Sequence, residues 1–265
     1  MPLTNPSELR EFLRSLGVEP KKGLSQNFLI DGNIVRKIIA EAAIQPGDTV
    51  LEIGPGPGAL TEALVASGAR VYAVEKDALF AEALKRFPEV TVFAEDIRTF
   101  DLGHLPPGTK VVSNLPYHLT SPILGLLAPR HDLFSTVTVM VQEEVARRMT
   151  ALAKTKDYSS LSVFLRFYSD PRYAFKVSRR CFYPQPKVDS AIVTLTLKTP
   201  PIAQAEAFFA LVHSVFQHRR KMMRSTLGNS VEPLLTSLGE NPQARPEELS
   251  LAVFLEIFKR LTPPE

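Results

Sequence analysis

The sequence predicts an α/β protein, an open sheet with helices on its faces, followed by a small all-helical domain. Three observations carry that prediction. A hydrophobic segment, Thr49-Val50-Leu51-Glu52-Ile53, runs into Gly54-Pro55-Gly56-Pro57-Gly58, and a helical pattern starts at once in Ala59-Leu60-Thr61. Two further apolar segments end in carboxylates, Glu75 and Asp96, at the strand ends where open α/β sheets bind ligands. After Thr199-Pro200-Pro201 only helical periodicity remains. The boundary falls there, giving 1–199 as the larger domain and 200–265 as the helical one.

Residues 6–16 read as a short helix opened by Pro6-Ser7, with Leu9, Phe12, Leu13 and Leu16 on one face and Gly17 ending it. The polar pair Gln26-Asn27 then sits before apolar Phe28-Leu29-Ile30, as in a segment that folds over something, although loop packing gives the same pattern. A helix over about 33–43 precedes the first strand. In the loop after it, Gly54, Gly56 and Gly58 let the backbone approach a ligand closely, and the helix that follows points its N–H groups there.

A second strand, 69–74, ends in Glu75, placed to accept both hydroxyls of a ribose. A third, 90–94, ends in Glu95-Asp96-Ile97, where Asp96 suits an exocyclic amine and Ile97 the face of an adenine ring. Each acid alone is an ordinary surface residue; two at successive strand ends point to a nucleoside. The Gly-x-Gly-x-Gly spacing, with Glu52 two residues before the first glycine, favours a nucleoside with a cationic sulfonium side chain over a dinucleotide.

A fourth strand from about 110 stops in Ser113-Asn114-Leu115-Pro116-Tyr117. Pro116 fixes its own φ and holds Leu115 extended. The Asn114 amide oxygen and the Leu115 carbonyl can then accept both hydrogens of an exocyclic amine while the Tyr117 ring stacks on the base. A plain strand-end turn is the competing reading. A fifth strand (135–141) feeds a helix (142–149), and 161–167 and 191–197 read as strands six and seven. Between those two lies a proline-stiffened basic and aromatic loop, Arg179-Arg180-Cys181-Phe182-Tyr183-Pro184-Gln185-Pro186-Lys187, suited to a base and its phosphates. Cys181 reads as a buried small residue. Helices are expected over about 204–216, 219–227, 231–238 and 250–261.

Charge is unevenly spread: residues 170–225 hold ten Lys/Arg against three Asp/Glu, although the whole chain is only +3, which points to a polyanion site in that stretch. Arg219, Arg220, Lys221 and Arg224 crowd six positions, more than one helix turn and a half, and so cover a wide arc suited to phosphates. A solvated basic face would look the same. One cysteine excludes an internal disulfide and a multi-cysteine metal site. With no bilayer-length apolar run and no leader-like N-terminus, a cytoplasmic protein is expected.

In combination, these motifs resemble the ribosomal RNA adenine N6-dimethyltransferases, which dimethylate two adjacent adenosines near the 3′ end of small-subunit rRNA. The resemblance rests on Ser25-Gln26-Asn27-Phe28-Leu29, Leu51-Glu52-Ile53-Gly54-Pro55-Gly56-x-Gly58-x-Leu60-Thr61, Val74-Glu75-Lys76-Asp77, Glu95-Asp96-Ile97, Ser113-Asn114-Leu115-Pro116-Tyr117 and Phe182-x-Pro184-x-Pro186-Lys187-Val188-x-Ser190. It implies a seven-stranded Rossmann-like S-adenosylmethionine-dependent methyltransferase domain with a small C-terminal helical domain. S-adenosyl-L-methionine would be the cofactor and S-adenosyl-L-homocysteine the product. The partner implied is small-subunit (16S) rRNA within a pre-30S particle, met by a monomer without metal.

By the same resemblance Gln26, Asn27, Leu29 and Lys76 border the cofactor and Gly54 lies against its methionine part. Glu75 holds the ribose, Asp96 and Ile97 the adenine, and Asn114 touches both substrates. Phe182 stacks on the target base opposite Tyr117. One departure is Met222-Met223, where the family pattern has Thr-Leu. Three other functions share parts of the pattern: a large-subunit rRNA adenine methyltransferase of the antibiotic-resistance type, a protein glutamine methyltransferase with an Asn-Pro-Pro-Tyr turn, and a non-catalytic ribosome-assembly factor. Leu115 in place of the first proline, the Phe182 loop and the basic block disfavour the second. The intact Gly54 loop with Glu75, Asp96 and Asn114 disfavours the third.

Overall fold

The computed structural model describes residues 3–18 and 27–262. Contacts divide the chain into two compact units, Met1–Ala146 with Arg172–Lys198, and Arg147–Pro171 with Thr199–Glu265. Residues 147–171, placed by the sequence in the larger domain, thus group with the helical one.

In the first unit, α1 (Pro6–Ser15) starts at Asn5, whose side chain accepts from the Ser7 N–H. Its Leu9 and Leu13 pack with Phe28 and Phe80. Strand β1 (Phe28–Leu29) leads to α2 (Gly32–Glu41), capped by the Asp31 carboxylate. Next come β2 (Thr49–Ile53), α3 (Ala59–Ala66), β3 (Arg70–Val74), α4 (Ala78–Leu84), β4 (Val90–Phe93), β5 (Thr109–Asn114), α5 (Thr120–Leu127), β6 (Phe134–Gln142) and α6 (Glu143–Thr150). After α7 (Ser160–Tyr168), which belongs to the second unit, follow β7 (Ser169–Val177), β8 (Phe182–Tyr183) and β9 (Ser190–Leu197).

Seven strands form one sheet in the order β4-β3-β2-β5-β6-β9-β7. The pairs β2–β3, β3–β4, β2–β5 and β5–β6 are parallel, while β9 runs antiparallel to β6. The chain winds outward from β2 towards β4 and then returns to place β5 on the other side of β2. That reversal opens a crevice at the carboxyl ends of β2 and β5, the usual ligand position in such sheets. Val50, Val71 and Val112 from the strands pack with Val35, Ile38, Leu60 and Leu64 from α2 and α3. The buried strands therefore read as near-continuous apolar runs.

Two expectations are corrected. Residues 161–167 are not a strand but most of α7. An apolar run of that length does not separate buried strand from buried helix. The arbiters are Phe164, Phe167 and Tyr168, spaced i, i+3, i+4. Phe164 and Phe167 meet Phe209 at 5.2 and 4.9 Å between ring centroids, and Phe167 stacks on Phe208 at 5.1 Å. At the start, the Ser159 N–H donates to the Ser162 hydroxyl at 3.0 Å. The missing strand of the sheet is instead β7, which was not expected and which contains Pro171. Its place at the edge explains why a residue without an N–H is tolerated there.

The helical unit adds α8 (Ala205–Phe216), α9 (Arg224–Leu227), α10 (Val231–Ser237) and α11 (Leu251–Leu261). Only four residues of the expected 219–227 helix form one, since a turn ending at Met223 intervenes. No helix among the described residues is long and apolar enough to cross a membrane.

Candidate active site

A cavity of about 460 Å³ lies at the ends of β2, β3, β4 and β5 and is lined by Asn27, Leu29, Glu52, Gly54, Gly56, Glu75, Lys76, Asp96, Ile97 and the 114–117 corner. Most residues assigned to the site from sequence thus converge. Gln26 lies outside the described residues, and Gly58 stands behind the wall as the N-cap of α3.

The loop needs its glycines for two physical reasons. Gly54, Gly56 and Gly58 all adopt positive φ, at 63°, 55° and 92°. A Cβ on Gly56 would meet Phe28 at 3.2 Å, and one on Gly58 would meet Leu84 at 2.9 Å. Glu75 ties the loop down: its Oε2 accepts from the Gly56 N–H at 2.9 Å and its Oε1 from the Asp77 N–H at 2.8 Å. Burial raises its pKa and these two hydrogen bonds oppose the rise. Each oxygen keeps a further lone pair for a ligand. From outside, the Arg86 guanidinium donates to the Pro57 carbonyl and lies over the Phe12 and Phe87 rings at 4.8 and 4.4 Å.

Asp96 is held differently. Lys76 Nζ reaches its Oδ2 at 3.0 Å, and the Arg98 side chain and backbone bind it at 2.6–3.0 Å. Arg98 above all, with Lys76 helping against some desolvation, keeps this carboxyl well below the usual carboxylate range. Lys76, assigned to the cofactor from sequence, thus acts here as an anchor for Asp96. Arg98 was not singled out, although a cation two residues beyond a strand-end acid was the available signal.

At the corner, Pro116 sits at φ −58°. The Leu115 side chain is only 1% exposed, and its N–H donates to the Met140 carbonyl at 3.2 Å. The Ser113 hydroxyl donates to the Ile53 carbonyl at 2.6 Å, fastening β5 to β2 just below both loops. Asn114 Nδ2 donates to the Asn27 carbonyl at 3.2 Å. A carbonyl only accepts, so the amide must turn its nitrogen there and leave Oδ1 as the free acceptor. Tyr117 is fixed at its far end by a 2.8 Å hydrogen bond between its hydroxyl and that of buried Ser190, and burial raises the phenol's pKa. Ser190, the last residue of the Phe182 motif, was quoted but given no role.

A strand-end turn holding a free amide oxygen, beside a glycine loop and two carboxylates, is equipped to bind a nucleoside and an amine. The family model described as Ribosomal RNA adenine dimethylase matches residues 18–262. The chain belongs to the ribosomal RNA adenine dimethylase family.

The enzyme is 54% identical to Ribosomal RNA small subunit methyltransferase A of Protochlamydia amoebophila, over 100% of this chain and 99% of that one. It is 48% identical to the protein of the same name from Chlamydia muridarum, over 96% of each chain. Among solved structures it resembles a dimethyladenosine transferase from Plasmodium falciparum (TM-score 0.75, 26% identity, 87% of this chain and 95% of that one). It also resembles the 23S rRNA methyltransferase ErmE (TM-score 0.70, 30% identity, 89% and 99%). The seven-stranded Rossmann-like methyltransferase fold expected from the sequence is the fold observed, and the chain is an rRNA adenine methyltransferase.

One aromatic is not where the sequence reading put it. Phe182, expected opposite Tyr117 in the cavity, is 3% exposed and belongs to the apolar core with Leu29, Val35 and Val177. The cause is the pairing of β1 with β8, which sets Phe182 against Leu29. The expected RNA-binding cations divide by their partners. Arg180 and Lys187 are exposed, while Arg179 donates to the Lys187 carbonyl at 3.0 Å. In the helical unit, Arg219 binds Glu247 and the Lys156 carbonyl, and Arg224 binds Glu232 at 2.8 Å. Arg220 and Lys221 are exposed with no ion pair among the described residues.

Gly58→Ala combines an unfavourable positive φ with a methyl group pressed on Leu84. It is expected to cost about 2 kcal/mol or more, measured by denaturant unfolding; unchanged stability would contradict the close-packed loop.

Proposed function

We propose that this enzyme dimethylates the N6 amines of two adjacent adenosines near the 3′ end of small-subunit rRNA, with S-adenosylmethionine as methyl donor. The observation that carries the chemistry is the orientation of Asn114, whose nitrogen is committed to Asn27 and whose oxygen is left to accept. The relatives' printed name, at 46–54% identity over nearly the whole chain, supports the choice of subunit. A cytoplasmic monomer acting on a pre-30S particle belongs to the same proposal.

The cavity residues suit the methyl donor. Gly54 and Gly56 bring bare backbone to the cavity wall, and Glu52 holds a buried carboxyl oxygen with no hydrogen-bond partner among the described residues. Glu75 would accept the ribose hydroxyls, Asp96 with Ile97 would hold the adenine, and Asn27, Leu29 and Gly54 would border the remainder. When bound, S-adenosylmethionine supplies an electrophilic methyl group on positively charged sulfur.

The chain's own task is to make a poor nucleophile reactive. The lone pair of an adenine amine is delocalised into its ring. Asn114 Oδ1 and the Leu115 carbonyl, held at a fixed angle by Pro116, would accept its two N–H groups and favour a tetrahedral nitrogen with its lone pair free. This contribution is positioning and electrostatics, with no side-chain base required before attack. Tyr117, anchored through Ser190, would stack on a base drawn out of its helix. Phe182 would contribute by supporting β1 and Leu29, and a direct stacking role would need it to leave the core. Arg179, Arg180, Lys187, Arg220 and Lys221 would meet phosphates, whereas Arg219 and Arg224 would chiefly hold the helical unit together.

The likeness to ErmE keeps large-subunit rRNA as the second reading. Labelled methyl transfer to unmethylated small and large ribosomal subunits, followed by mapping, separates the two. Label at two adjacent adenosines of the small subunit is expected, and label confined to the large subunit would overturn the proposal. Asn114→Ala should lose about 10²–10³ in turnover, as when one preorganised polar group is removed from an active site, while RNA binding persists in a filter assay. Unchanged turnover would refute the acceptor role. Replacing Arg220 and Lys221 with Ala should weaken RNA binding and reduce the slope of log K against log salt by about 1–2. An unchanged slope would place the RNA elsewhere.

A further inference from the structure

We propose that Glu52 carries a proton in the ligand-free enzyme and releases it to solvent when the positively charged methyl donor enters the cavity. This rests on the reading of the cavity as the S-adenosylmethionine site and adds a function to one of its walls: binding of the donor is coupled to deprotonation of a single carboxyl.

The geometry leaves Glu52 in want of a counter-charge. It is the penultimate residue of β2, 1% exposed, and lines the cavity. Among the described residues its Oε2 has no partner in hydrogen-bond geometry, nor has the Thr61 hydroxyl on α3, the one neutral side-chain donor that favours the ionised form. Among the described residues the surrounding elements offer no compensating cation. After β3 come Glu75 and Asp77, both acidic, and Lys76, whose ammonium is bound to Asp96. After β4 come Glu95 and Asp96, with Arg98 also bound to Asp96. After β5 the neighbours are neutral Asn114 and, further along, exposed His118. From α1 only Leu9 reaches the wall.

A carboxylate buried with no cation and at best one hydroxyl donor is strongly disfavoured, so the group keeps its proton instead. Burial, opposed by Thr61 and reinforced by Glu75, takes its pKa from the ordinary 4.5 to about 8. A sulfonium or ammonium in the cavity supplies the missing positive charge and favours the ionised form. The O–H bond breaks heterolytically, the electron pair stays on the carboxylate, and the proton passes to buffer.

The sign of the pH dependence follows. The ionised carboxyl is the form that binds the cation better, and its fraction grows as pH rises towards 8. Affinity for the donor should therefore climb, by up to about tenfold per pH unit below 8, and level off above it. Stability of the ligand-free enzyme should move the other way. A raised folded-state pKa contributes stability that is fully present below pH 4.5 and is lost as pH climbs to about 8.

The test is calorimetric titration of S-adenosylmethionine into the full chain and into Glu52→Gln at pH 7, each in phosphate and in Tris. These buffers differ in ionisation enthalpy, so the proton count per site follows from the difference in heat. Subtracting the variant cancels protons exchanged by the donor itself and by other residues. Wild type should release roughly 0.8 proton more than the variant; equal counts would overturn the proposal. Should the variant fail to fold, infrared difference spectra of wild type decide. A protonated-carboxyl C=O band lost on binding supports the proposal, and its absence overturns it. Binding without proton release refutes this inference alone. No binding of S-adenosylmethionine by folded wild type refutes the cofactor reading and the inference with it.

Discussion

One hydrogen bond, from the Asn114 side-chain nitrogen to the Asn27 carbonyl, decides what the cavity can do. It joins the end of β5 to the segment entering β1, far apart in sequence, and fixes which end of an otherwise ambiguous amide faces the substrate. With the nitrogen committed, the oxygen is the end of the amide that would, under the proposed mechanism, act with the Leu115 carbonyl as a pair of acceptors. Pro116 holds the angle between them, and the Ser113–Ile53 bond fastens that corner to the strand carrying the glycine loop. Preorganisation of this kind acts on the reacting group without reorganising during the reaction.

Of the five carboxyl groups that line the cavity, three stand in environments that assign them three different states. Glu75 is bound by two backbone N–H groups, which offset part of the cost of burying it and lock the loop at Gly56. Asp96 is neutralised by Lys76 and Arg98 and stays ionised far into acid. Glu52 has neither kind of support. Similar chemical groups thus serve as a loop tie, a fixed anion and a proton store because of what lies within hydrogen-bond reach.

Local signals made the site readable. Glu75, Asp96 and Asn114 each lie at the end of an apolar strand or within three residues of it, and parallel topology carries such strand ends to one edge whatever the intervening sequence. Long-range pairing was not readable. Residues 161–167 read as a strand in the sequence because the apolar run hides the i, i+3, i+4 spacing of Phe164, Phe167 and Tyr168, whose partners Phe208 and Phe209 lie some forty residues on. Phe182 looked like a stacking ring from its proline-rich setting, and only the β1–β8 register shows it turned into the core. Arg219 looked like its neighbours Arg220 and Lys221, yet Glu247 claims it. In each case a distant partner settled the matter.

The most direct measurement is a crystal structure of the enzyme with S-adenosylhomocysteine and an adenosine-containing RNA fragment. The account predicts the adenine N6 within about 3 Å of both Asn114 Oδ1 and the Leu115 carbonyl oxygen, with Asn114 Nδ2 still on Asn27. An N6 bound elsewhere in the cavity, or an Asn114 amide turned to offer its nitrogen to the base, would contradict it.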